Sequence, residues 1–232
     1  VAQQLKSPQD IGEALFSLGN PARSQQHTEA ALALYQQAAT ASSSQLTKLQ
    51  AQLNQLSLLL ETEQWLAAQA LLAPIQSQIA TLPLNQTAIY ARIDFAQSLM
   101  QLGSKGAGGQ GSKETLEQGS WEAGEQLLAT AVQQAKSLRD QRAEAYALGH
   151  LGGLYEQTQQ WSNAQNLTQQ ALLLAQAINA PDIAYRWQWQ LGRLLKLQGN
   201  TQGAIASYDE AVKTLQTLRY DLVAVNPDVQ FS

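Results

Sequence analysis

Large apolar and small residues along this chain return in a fixed order, separated by glutamine-rich polar stretches. Four segments align: ETEQWLAAQALL from Glu61, EQGSWEAGEQLL from Glu117, QTQQWSNAQNLT from Gln157 and LQGNTQGAIASY from Leu197. Their anchors are Trp65, Trp121, Trp161 and Thr201, each followed three positions later by a small residue: Ala68, Gly124, Ala164 and Ala204. The last two steps are 40 residues each, and the first is 56, so it carries 16 extra residues. Upstream of the anchors, Leu151-Gly152 and Leu191-Gly192 are also 40 apart. Few stretches alternate Val, Ile and Thr as strands do. Ser7-Pro8-Gln9-Asp10 offers an N-cap, a proline at the first helical position and an acid at the third. The pattern predicts an all-α chain built from repeated helix pairs.

The intact repeat reads L-G-x-x-Y at Leu151, Gly152 and Tyr155, then Ala164, then Ala171. It resembles the tetratricopeptide (TPR) pattern of helix–turn–helix units. The last repeat matches as Leu191, Gly192, Leu195, Gly199, Ala204, Tyr208 and Ala211. The third runs through Phe95, Ala96, Leu99 and Gly103, and resumes at Trp121, Leu128 and Ala131. The second has Leu56, Leu59, Trp65, Ala68 and Leu72, and a degenerate first has Ile11, Gly12, Leu15, Gly19, Ala31, Tyr35 and Ala38. The resemblance covers Asp10 to Leu218 and implies five pairs, ten helices, stacked as a right-handed α-solenoid. Small residues let the two helices of a pair approach, while Leu, Tyr and Trp fill the grooves beside them. The period exceeds the family's usual length of about 34 and no repeat has its closing proline, which implies longer helices. Pro83 and Pro181 fall in the expected joints between repeats.

The 16 extra residues explain the stretch GSKGAGGQGSKE from Gly103. Gly106 and Gly111 have the separation of a phosphate-binding loop, but the order Gly111-Ser112-Lys113-Glu114 puts lysine one place late and a carboxylate where a hydroxyl belongs. Such a loop leaves a strand, and this one follows a helix. The expectation is a flexible insertion, 104–120, in the turn of the third repeat, with its second helix starting near Trp121 and no nucleotide bound. The remaining organisation is a solenoid over 1–218 and a tail or connector over 219–232.

Composition narrows the chemistry. Hydrophobic residues make up 44%, charged residues only 14%, and the net charge of −4 excludes a strongly basic nucleic-acid binder. Cysteine is absent, which removes disulfides and thiolate chemistry and leaves the compartment, cytoplasmic or exported, open. No apolar run reaches the length of a membrane span. The chain opens on valine without a signal peptide, which suggests that a leader or further N-terminal residues have been removed. His27 and His150 are the two histidines, and neither has a close second ligand group; His150, beside Leu151-Gly152, reads as a structural histidine. There is no G-x-S-x-G or H-E-x-x-H, and no carboxylate pair placed over one substrate. Asn85-Gln86-Thr87 and Asn166-Leu167-Thr168 match the glycosylation sequon, a pattern common by chance. No enzyme, cofactor or metal is expected. Trp65, Trp121 and Trp161 are expected in the core or in packing between repeats, and Trp187 to face the preceding helix, a face that Trp189 does not share.

The ending LRYDLVAVNPDVQFS resembles the junction of multidomain, mainly cyanobacterial proteins in which TPR repeats precede a caspase-like CHAT domain. The residues Asn226-Pro227-Asp228-Val229-Gln230-Phe231-Ser232 carry that resemblance, helped by QAQLNQLSLL from Gln50 and AIYARIDFAQSLM from Ala88. It implies a piece of a longer protein whose His/Cys pair lies in another domain. The TPR resemblance implies a groove, lined by the first helix of each pair, that receives a protein or peptide. In that frame the groove-facing positions are Tyr146, Gly149, Gly153 and Glu156 in the fourth repeat and Arg186, Trp189, Arg193 and Lys196 in the fifth. The latter four share one helical face, and a tryptophan among cations suits an acidic segment of the partner. The two glycines are expected to leave room for another backbone. Three functions follow: a binding scaffold, a spacer restraining the protein's own C-terminal domain, or a peptide-sensing regulator.

Overall fold

The computed structural model describes residues 7–105 and 113–225. Every regular element among them is a helix: α1 (Pro8–Ser24), α2 (Thr28–Ala41), α3 (Gln45–Glu61), α4 (Trp65–Ala80), α5 (Gln86–Lys105), α6 (Lys113–Leu138), α7 (Gln141–Gln157), α8 (Trp161–Ala177), α9 (Pro181–Leu197) and α10 (Thr201–Val225). The helices pack in sequential pairs, so the odd-numbered one of each pair is its first helix. The chain divides into two compact units, Val1–Gly124 and Glu125–Ser232.

Local chemistry sets the helix ends. The side chains of Ser7, Ser44, Asn85, Asp140 and Asn200 each accept a backbone N–H three residues on, at 2.8–3.2 Å. Each cap satisfies one of the free donors at a helix start. Six turns use one device: the residue two places before the next helix is left-handed, as at Gln26, Glu63, Arg139, Gln159, Asn179 and Gly199. The following N–H then reaches five residues back, as in Gln160 to the Tyr155 carbonyl at 2.8 Å and Asn200 to Leu195 at 2.9 Å. This is the Schellman closure, which ends one helix and aims the next within three residues.

Inside a pair, a glycine of the first helix receives a side chain of the second. A methyl group on Gly19 would lie 2.5 Å from Tyr35 Cε1, on Gly152 2.7 Å from Thr168 Oγ1, and on Gly192 2.7 Å from Tyr208 Cε1. All three glycines stand nine residues before the second helix, and all three partners seven residues into it. In the first unit, Tyr35 and Ala31 are fully buried against Leu58, with Phe16 packed beside them. In the second, Trp187 of α9 is buried on α7, where a methyl group on Gly149 would meet its indole at 2.2 Å. Trp65, Trp121 and Trp161 are half-buried, not core: Trp65 and Trp161 open their helices, and Trp121 lies within α6.

Two boundaries differ from expectation. Residues Lys113 to Ser120, read as loop, form the first turns of α6. The run Lys-Glu-Thr-Leu-Glu-Gln consists mostly of strong helix formers, and Gln118 donates to Glu122 one turn on at 2.9 Å. Ser120 is buried, and Trp121 packs under Gly103 at the end of α5. At the other end of the insertion, Ser104 and Lys105 close α5, and the remaining residues, 106–112, lie outside the described residues. Likewise α10 runs to Val225, past the boundary expected at 218, while the Asn226–Ser232 motif lies outside the described residues.

Candidate functional site

The repeat frame lets one face be compared across first helices. Leu53, Gly149 and Trp189 each stand 12 residues before the next helix begins. One residue further on come Asn54, His150 and Gln190, and Asp94 holds the same place, directly before the Phe95-Ala96 pair that matches Leu151-Gly152 and Leu191-Gly192. In the first unit this face is open. Helices α1, α3 and α5 enclose a cleft of about 390 Å³ lined by Arg23, Leu53, Asn54, Ser57, Glu61, Asp94, Gln97, Ser98 and Gln101. A second hollow of about 150 Å³ adjoins it, sharing Leu53, Asn54 and Asp94 and adding Phe16, Gln50, Thr87, Tyr90 and Ala91. On α3 the lining residues recur at three- and four-residue steps from Gln50, and on α5 from Thr87, so each helix turns one stripe toward the cleft.

The walls are held by polar contacts. Arg23 forms an ion pair with Glu61 and donates to Ser57 Oγ at 2.8 Å. Asn20 Oδ1 accepts from Tyr35 Oη at 3.0 Å and from Asn54 Nδ2 at 3.2 Å. The Arg23 charge is therefore matched within the wall. Asp94 is not matched: among the described residues its carboxylate has no ion pair or hydrogen bond. Asp94 is exposed to solvent at the cleft mouth. The surrounding walls nevertheless thin the water about it, and this desolvation pushes its carboxyl up to about 6. Arg92, two residues earlier and so on the far side of α5, is buried, donating to the Ala88 and Ile79 carbonyls at 3.0 and 3.1 Å.

The second unit fills the same face from within. The indole of Trp187 covers Gly149, and the Gln190 amide lies 3.3 Å from where a methyl group on Gly153 would sit. Neither glycine leaves room for another backbone, contrary to the sequence expectation, because side chains of α9 already use that room. Gln190 is buried and donates to the Gly149 carbonyl at 2.9 Å and to Thr168 Oγ1 at 2.7 Å. Tyr146 and His150 complete an aromatic cluster with Trp187, His150 meeting the indole edge-on at 5.3 Å. Burial, with the nearby Arg186 charge, lowers the His150 imidazole to about 4, so it is neutral at physiological pH. That is a structural histidine.

The four α9 residues do share one exposed face, but they are not equally free. Arg193 forms a two-pronged ion pair with Glu156 of α7, at 3.0 and 2.8 Å. The expected cation and the expected acid thus satisfy each other. Trp189 is 45% exposed and leans edge-on against Tyr208 of α10 at 5.0 Å. The Arg186 guanidinium lies 5.5 Å from the Tyr185 ring centre, and Lys196 is exposed. The cleft of the first unit lies on the face that the sequence assigned to the groove in the fourth and fifth repeats. The same offsets counted back from Trp65 give Gln50, Leu53 and Ser57, which line the hollows, and Leu60, which is buried; Asn54 lies one residue after an offset position.

Among the described residues no three His, Cys, Asp or Glu side chains converge to hold a metal ion, and no helix is long and apolar enough to cross a membrane. No protein-family model and no curated protein matches the chain. Solved structures do match in fold. The chain is similar to BtubC (BKLC) from P. vanneervenii, with a TM-score of 0.68 and 16% identity over 91% of this chain and 82% of that one. It is similar to a thermophilic TPR protein in Thermus thermophilus, with a TM-score of 0.64 and 17% identity over 92% and 99% of the two chains. It is also similar to a Rap protein complexed with competence and sporulation factor, with a TM-score of 0.67 and 13% identity over 94% of this chain and 57% of that one. At these identities the likeness is one of fold: ten helices in sequential pairs, of the TPR-like type.

Proposed function

We propose that this chain is a non-catalytic scaffold that binds a protein segment or peptide on the faces of its first helices. The open polar cleft of the first unit carries the reading. Its volume lies within the range of ligand sites, about 300–1,000 Å³. The amides of Asn54, Gln97 and Gln101 offer a bound backbone both donors and acceptors. A similar fold in complex with a competence and sporulation factor supports the same use. The exposed α9 face, with Arg186, Trp189 and Lys196, is a second contact surface. Its complement for an acidic segment is reduced to Arg186 and Lys196, since Arg193 is matched by Glu156.

The test is selection of random 12-residue peptides, displayed on phage, against the full chain. Retained peptides are then synthesised and their affinity measured by fluorescence polarisation. Micromolar binding supports the scaffold reading, and failure to retain any peptide contradicts it. Trp189→Ala with Arg186→Glu should weaken those peptides that carry acidic residues, with helicity unchanged.

One observation favours a second reading, a spacer that restrains a C-terminal domain of the CHAT kind. Ile205, Val212 and Leu215 of the last helix are exposed, an apolar surface that a following segment of such a protein would cover. Addition of an isolated CHAT domain to the full chain, with no measurable association, would remove it.

A further inference from the structure

The cleft of the first unit is built around one unanswered charge. Of its three ionisable lining groups, Arg23 of α1 and Glu61 of α3 neutralise each other, and Ser57 completes the arginine's contacts. Asp94 of α5 stands apart from that pair, with neutral side chains around it: Leu53, Asn54, Gln97 and Ser98. The cleft therefore carries a net charge of about −1 when Asp94 is ionised. At the same repeat position the second unit has His150, packed in aromatic rings, and Gln190, hydrogen-bonded on two sides. Only in the first unit does this position present a charged group to open space, and nothing in the packing of α3 or α5 requires it. Helix-pair packing there is made by Phe95, Ala96 and Leu99 instead, all buried.

We propose that this cleft seats the positively charged side chain of a lysine or arginine in the bound segment, held by the Asp94 carboxylate, with the Asn54, Gln97 and Gln101 amides taking its backbone. The proposal rests on the peptide-binding reading above and assigns it a chemistry. An ion pair formed in a walled cleft is stronger than one on an open surface, because less water screens it. Ionised Asp94 already bears part of its desolvation cost in the empty cleft, so an incoming cation meets a smaller penalty on that side than at an open surface carboxylate. The raised carboxyl, about 6, is the signature of that standing cost. A neutral or acidic side chain has no such gain, and an acidic one meets repulsion.

The experiment uses the full chain and the same phage-displayed random 12-residue peptides at pH 7.5. Retained peptides are expected to carry a required lysine or arginine, whose replacement by norleucine weakens binding at least about tenfold. Asp94→Asn, close in shape, should produce a similar loss, and the two losses should not add when combined. Asp94→Glu should recover binding to within a few-fold, which a merely structural role for Asp94 would not require. Circular dichroism melting of each variant verifies the fold. Retained peptides that need no cation, or that bind Asp94→Asn undiminished, overturn the inference while leaving the scaffold reading intact. Retention of no peptide overturns both.

Discussion

Asp94 and His150 occupy one repeat position and show how neighbours decide what a residue becomes. Walls without a counter-charge push the Asp94 carboxyl up, and burial beside Arg186 pushes the His150 imidazole down. The consequences for stability are opposite in sign. Folded Asp94 holds its proton to about pH 6, whereas an unfolded aspartate releases it near 3.9. The native state then binds more protons between those values, so stability falls as pH rises through that window and stays lower above it. Asp94→Asn should therefore raise the melting temperature at pH 8, and the difference should vanish near pH 4. His150 titrates near 4 when folded and about 6.5 when unfolded, so its stabilisation is present above 6.5 and is lost as pH falls toward 4. His150→Phe should make urea unfolding less sensitive to acid over that range, by up to about 3 kcal/mol. An acid sensitivity equal to that of the parent chain would show that His150 is not the group responsible.

At the scale of elements, the pairing of helices rests on where a side chain can be missing. Gly149 lies under Trp187, while Gly119 of α6 has nothing within 4 Å of the space a methyl group would take. Gly149→Ala should cost about 2–4 kcal/mol or force α9 off α7. Gly119→Ala should stabilise by about 0.5–1 kcal/mol, the helix preference of alanine over glycine. Thermal denaturation of the two variants checks both signs. The pairing of helices was legible in advance, because Leu151-Gly152 and Leu191-Gly192 repeat at 40 residues and the helix second in each pair repeats its anchors, but the filling of the space at Gly149 by Trp187 was not. The start of α6 was not, because the glycines before it read as linker and concealed that Lys113 onward favours helix. Nor was the pairing of Arg193 with Glu156, which lie 37 residues apart. Helical spacing reveals neighbours on one helix, not those across two.

At the scale of the whole molecule, the two units share one repeat frame and use it differently. In the second, Trp187, His150 and Gln190 fill the face between first helices. In the first, Asn54, Asp94 and Gln97 leave it open. The face itself was predictable from the TPR resemblance; which repeats would leave it open depended on side-chain volumes facing across helices. The most direct test of the account is amide chemical-shift mapping of the full chain, titrated with a peptide retained in the selection. Saturable shifts at Asn54, Ser57, Asp94, Gln97 and Gln101 are predicted. Shifts confined to second helices, such as α2 and α4, with those five unmoved, would contradict it.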